Sequence, residues 1–184
     1  MKRFISTTLN AGILSLCLIL LNACSLPLTR TPSNLPATLA SSSGNGNCAY
    51  QWAQKDLPEL SGEFQQALQE LQPEAQASAF AFGEDCVYAD GHAVFSAMET
   101  DFNVTIQISD LSNEADLGEW IVKVMQVIEN IPPEKIEGPR PGRVSLEFRS
   151  GSEQKFVNFY IDRYQALPAG LSNAEIYQAL QTPQ

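Results

Sequence analysis

From Cys48 onward, hydrophobic and polar residues alternate with two different periods, and the switches between them divide the chain into elements. Between Asp56 and Leu71 the apolar residues Leu57, Leu60, Phe64, Ala67, Leu68 and Leu71 recur at helical spacing, which puts them on one stripe of an amphipathic helix. Asp56 and Glu59 are spaced as a capping box, Pro58 suits a first turn, and Pro73 ends the segment. Residues 76–88 read as extended, and Asp90-Gly91 predicts a two-residue hairpin turn. The period then becomes two. From Val94 to Ile108 the even positions are Val, Ser, Met, Thr, Phe, Val, Ile and Ile, while the odd ones turn polar from Glu99 onward as Glu, Asp, Asn, Thr and Gln. This predicts one long strand with a core face and a second face that is wet or covered by a partner.

A second helix is predicted from Asn113, with Leu117, Trp120, Ile121, Val124 and Ile128 on its apolar side and Pro132-Pro133 closing it. Two short strands follow, 143–149 and 155–162. They join across Gly151-Ser152, which suits a type II′ turn and sets Val144 and Leu146 opposite Phe159 and Val157. Ser172-Asn173-Ala174-Glu175 is a capping box for a last helix, with Leu171 and Ile176 placed to staple it. The order α-β-β-α-β-β-α predicts a two-layer α+β domain, a four-stranded and mainly antiparallel sheet with helices on one face. The span 48–184 is the size of one domain and long enough to bury a core.

The chain begins differently. Met1-Lys2-Arg3 is a positive start, Ala11 to Leu21 is an unbroken apolar and small run, and Leu21-Asn22-Ala23-Cys24 closes it. This is the layout of a secretory signal, and it is shorter than the roughly 20 apolar residues a spanning helix needs. The cysteine ending resembles the lipobox of bacterial lipoproteins, with Asn22 a departure from the small residue usual at that place. The resemblance implies that residues 1–23 are removed, that Cys24 becomes the first residue and carries lipid, and that multiple acyl chains hold the protein on the membrane. It places the chain in the cell envelope, facing the periplasm or the cell exterior. Ser25 leans towards the outer membrane where the source has one. Residues 24–47, rich in Pro, Ser and Thr with Arg30 the only charge, read as a flexible tether. The body is similar to small bacterial lipoproteins of uncharacterised activity.

With Cys17 lost in the signal and Cys24 lipidated, Cys48 and Cys86 remain. In an oxidising compartment this pair is expected to form a disulfide, and the loop it closes would stabilise by roughly 4 kcal/mol on the chain-entropy model. A redox or metal site would call for a CxxC spacing or a neighbouring ligand set.

Few residues suggest chemistry. His92 is the only histidine, beside the Asp90-Gly91 turn, and no GxSxG elbow accompanies it. The window from Asp110 offers Ser112, Glu114 and Asp116 as oxygen ligands, but Ala115 and Ile121 stand where a calcium loop needs Gly and Glu. No metal, cofactor or catalytic residue is therefore assigned. Glu84, Asp85, Asp90, Glu99 and Asp101 keep open a carboxylate-based hydrolase of the envelope.

Charge is uneven along the chain. Residues 48–119 hold fourteen acidic residues and one basic, a net of −13, whereas residues 120–184 hold seven of each. Such a balance opposes nucleic-acid binding and permits two readings, a solvating surface or a patch for a basic protein, a peptide or divalent cations. Glu99 and Asp101, with Arg140 and Arg143 at the end of the proline-rich segment 131–143, form the candidate interaction surface. The leading expectation is a monomeric, non-enzymatic binding module tethered to the membrane.

Overall fold

Five strands lie in chain order in one sheet: β1 (Ala49–Asp56), β2 (Gln76–Val87), β3 (Ala93–Gln107), β4 (Arg143–Ser150) and β5 (Glu153–Tyr160). The computed structural model describes residues 48–181; the signal-like segment, Cys24 and the tether up to residue 47 lie outside the described residues, as do residues 182–184. β1–β2, β2–β3 and β4–β5 pair antiparallel, and β3–β4 parallel. The parallel pair follows from its connection, since α2 (Glu114–Glu129) carries the chain back to the starting end of the sheet. The α+β class holds. The sheet has five strands instead of the expected four, because β1 has no buried residue and so no burial-imposed alternation to betray it.

One face carries the core. Ala79 and Ala81 of β2, Phe102, Val104 and Ile106 of β3, Val144, Leu146 and Phe148 of β4, and Val157 and Phe159 of β5 are buried. They meet Leu60, Phe64 and Leu68 of α1 (Pro58–Leu71), the apolar stripe of α2, and Tyr177 and Leu180 of α4 (Asn173–Gln181). The register sets Val144 against Phe159 and Leu146 against Val157, as the hairpin spacing predicts. Gly151 takes φ +58°, the sign a primed turn requires at its first central position.

Several ends differ from expectation. α1 starts at Pro58 and its N-cap Leu57 makes no side-chain cap bond, because Asp56 belongs to β1, opposite Phe80. β5 stops at Tyr160, where the short helix α3 (Ile161–Gln165) begins. The hairpin after β2 is a three-residue loop, Ala89-Asp90-Gly91. Gly91 N–H donates to the Tyr88 carbonyl, Tyr88 N–H donates to that of His92, and Gly91 sits at φ +88° as the bulge glycine of such a loop. α4 keeps its capping box, with Ser172 N–H and Oγ both donating to the Glu175 carboxylate (2.8 and 2.7 Å).

β3 also breaks its own alternation. The β2–β3 register shifts between Phe82 and Gly83, so that Ala81 faces Thr100 but Gly83 faces Ala97. One extra residue at Met98–Glu99 turns the earlier part of the strand over. Phe95 and Ala97 therefore pack towards the core, while Val94 is 53% exposed on the opposite face. The even-numbered run expected to share one face is split at the bulge.

Helix α1 also closes a sheet edge. β1 pairs with β2 only from Phe80 onward, which leaves the start of β2 without a strand beside it. Ser61 Oγ donates to the Ala79 carbonyl and accepts the Ala79 N–H (2.9 Å each). Gln65 donates to the Ala75 carbonyl and accepts from Ala77 N–H. Further on, Gln72 does the same for both backbone groups of Gln107. These side chains supply the hydrogen bonds an absent strand would make, which blunts the edge against pairing with another chain.

Candidate functional site

Opposite the core, no helix covers the sheet among the described residues, and side chains from successive strands line up there in rows. At one end Tyr50, Cys86 and Val94 share a row; next come Trp52, Glu84 and Ser96, then Gln54, Phe82 and Glu99. The middle row runs Asp56, Phe80, Asp101, Arg143 and Tyr160. Two polar rows follow, Ser78, Asn103, Ser145 and Asn158, and then Gln76, Thr105, Glu147 and Phe156. The face thus has an aromatic end, a charged middle and a polar end.

The charged middle is where the sequence-derived candidates meet. Arg140 Nη2 lies 3.3 Å from Glu99, and Arg143 Nη2 lies 3.8 Å from Asp101. Asp101 Oδ1 also accepts the Arg143 backbone N–H at 2.7 Å. The segment 136–142 runs beside β3 ahead of the point where β4 takes over. Arg140 N–H donates to the Met98 carbonyl, Thr100 Oγ1 exchanges hydrogen bonds with both backbone groups of Glu137, and Lys55 Nζ reaches the Glu137 carboxylate at 2.8 Å. Gly142 makes this approach feasible, because a Cβ there would lie 1.7 Å from the Thr100 carbonyl oxygen.

That cover changes the character of the two carboxylates. Glu99 is 6% exposed and Asp101 4%, so neither offers the open acidic patch expected of them. A partner approaching this face meets Arg140 and Arg143, which are about half exposed. Burial and, after it, the negative charge of Asp101 push the Glu99 carboxyl above its ordinary range, while Arg140 and Arg143 pull it back. The remaining acidic residues of the first half are spread over the end of β1, the outer side of α1 and the turn after it, the β2–β3 hairpin, and the loop before α2 with its first turns.

Cys48 and Cys86 lie within disulfide-bonding reach, with a Cα–Cα distance of 5.2 Å. His92 sits exposed at the hairpin, stacked on Tyr88 with ring centroids 4.2 Å apart and paired with Asp90 at 2.5 Å. Asp110 accepts from both the N–H and the Oγ of Ser112, which hold its carboxyl below the ordinary range. It stabilises a turn there. Among the described residues no group of three metal-ligating side chains converges, and no helix is long and apolar enough to cross a membrane.

The polar rows form a groove of about 550 Å³ whose lining includes Gln76, Ser78, Asn103, Thr105, Ser145 and Phe156. Its charged member, Glu147, is neutralised by Arg149 Nε at 2.7 Å and Nη2 at 3.0 Å, and Thr105 Oγ1 donates to it as well. That bonding holds the Glu147 carboxyl below its ordinary range. Of this groove, sequence reasoning reached only Asn103 and Thr105, as polar positions of the long strand. A signal for Phe156 existed, because a strand that turns Val157 and Phe159 inward leaves Phe156 pointing out. No protein-family model matches this chain, and neither a curated protein nor a solved structure matches it.

Proposed function

We propose that this chain is an extracytoplasmic binding module, held in the cell envelope by lipid on Cys24, carried on the tether 24–47, and binding through the helix-free face of its sheet. One observation carries the reading. A sheet that buries one face under helices leaves the other as a broad surface with exposed Trp52, Phe156 and Tyr160 around polar groups, and aromatics of this kind are over-represented where proteins bind. The cover over Glu99 and Asp101 moves the binding area away from the acidic residues, towards the polar rows and the two arginines. A Cys48–Cys86 disulfide formed in an oxidising compartment is part of the same reading.

A second reading, a hydrolase with Glu99 as acid and Asp101 as base, draws on the raised Glu99 carboxyl beside a second carboxylate. Each carboxylate is occupied by an arginine and shielded from solvent, so the binding module is preferred.

The test is photo-crosslinking in intact cells, with benzoylphenylalanine placed at position 156 in the full chain and in the same chain carrying Cys24→Ala. A covalent adduct in the membrane fraction that is lost with Cys24→Ala is the expected result. Absence of any adduct, or recovery of the unaltered chain in the cytoplasmic fraction, overturns the reading.

A further inference from the structure

We infer that the groove on the helix-free face binds a neutral oligosaccharide; this rests on the proposed binding module and names its ligand class. The walls suit other ligands less well by their chemistry. A nucleotide or phosphorylated ligand would need free cations, yet Arg149 at the groove is committed to Glu147 and Arg143 in the adjoining row faces Asp101. An acyl chain would need an unbroken apolar floor, and here Gln76, Ser78, Asn103, Thr105 and Ser145 interrupt it with polar groups. An extended peptide adding itself on the β2 side of the groove would find that edge closed, its backbone groups taken by Ser61 and Gln65.

What remains is a surface of amides and hydroxyls beside one apolar ring, with its single carboxylate, Glu147, paired to Arg149. Ser78, Asn103 and Ser145 share one row, and no described residue supplies a hydrogen-bond partner to their side chains. Each offers both a donor and an acceptor, as sugar hydroxyls do, and so pairs with them in either sense. Phe156 stands 54% exposed in the adjoining row and presents an apolar surface to which the C–H face of a pyranose ring is complementary. The groove volume lies within the range of small-ligand sites and suits a few sugar rings. Its open form suits a chain entering from either end.

The experiment is isothermal titration calorimetry of the full chain, purified in detergent, with chitotetraose and cellotetraose as probes. Saturable binding of at least one sugar is expected. Asn103→Ala and Phe156→Ala should each weaken it about tenfold, the loss of one or two hydrogen bonds or one ring contact. Phe156→Trp should retain binding, and Tyr50→Ala, at the far end of the face, should leave it unchanged. These positions are exposed, so the variants keep the fold, and their thermal midpoints check this. Failure of both sugars to bind, or binding indifferent to Asn103→Ala and Phe156→Ala, overturns the inference. If no sugar binds while the position-156 crosslinker yields a protease-sensitive adduct, the glycan inference falls and the binding module stands; if there is no adduct either, both fall.

Discussion

The sheet has two halves held together by different means. In the half beneath the helices, Phe102, Val104, Val144 and Leu146 are each at most 2% exposed, and Phe64 meets Phe102 edge to face with centroids 5.1 Å apart. In the other half, β1 and residues 84–98 contain no buried side chain on either face. That overhang relies on strand pairing, the partial packing of Phe95 and Ala97 against the core, the Trp52–Phe82 stack at 5.4 Å, and the Cys48–Cys86 pair near its outer end. The comparison teaches that a long strand can outrun its core. Where it does, hydrophobic burial supplies less of the stabilisation, and a covalent link is an alternative.

The largest expected effect lies in the covered half. Phe102→Ala should destabilise by roughly 3–5 kcal/mol, as buried aromatic truncations do, whereas Trp52→Ala, at a side chain 66% exposed, should cost no more than about 1 kcal/mol. Denaturant unfolding of both variants checks the contrast. Equal losses would erase the distinction between the halves.

Next comes the cysteine pair. Reducing a Cys48–Cys86 disulfide should lower stability by about 2–4 kcal/mol, and the loss should be local. Hydrogen exchange should speed up at residues 84–97 and change little at 102–107. Uniform acceleration along β3 would show that the overhang and the core unfold as one unit.

The smallest effect belongs to Glu99, which sits at the bulge between the halves. Because its pKa in the folded chain is raised from 4.5, the group favours folding below that value and loses this contribution as pH rises through the folded pKa. Glu99→Gln should therefore be more stable than the wild type at neutral pH, and the gap should close in acid. Thermal unfolding across pH measures it. A gap that widens in acid would mean that the Arg140 pair outweighs burial.

Local signals were legible wherever a single element enforced them. Helical spacing located α1 and α2, the serine–glutamate box set the start of α4, and two glycine-containing turns marked both hairpins, although the first closes through three residues. Alternation likewise identified β3 and its outward polar residues. The candidate site was legible only in part. Glu99, Asp101, Arg140 and Arg143 do come together, but as two carboxylates buried beneath two arginines rather than as an open surface. The groove residues Ser78, Ser145 and Phe156 carry no motif; they line one groove only because four adjacent strands, β2 to β5, carry them to one face.

The sequence by itself determined the periods and caps, because a helix stripe or a capping box is written within a few residues of itself. Tertiary structure alone decided the existence of β1, whose exposed side chains carry no pattern, and the bulge at Met98, which reverses the faces of β3. It also decided the fate of Glu99 and Asp101, which meet Arg140 and Arg143 some forty residues later because α2 returns the chain in parallel along β3. Pairings of that range depend on the whole sheet's register, which no window of the sequence contains.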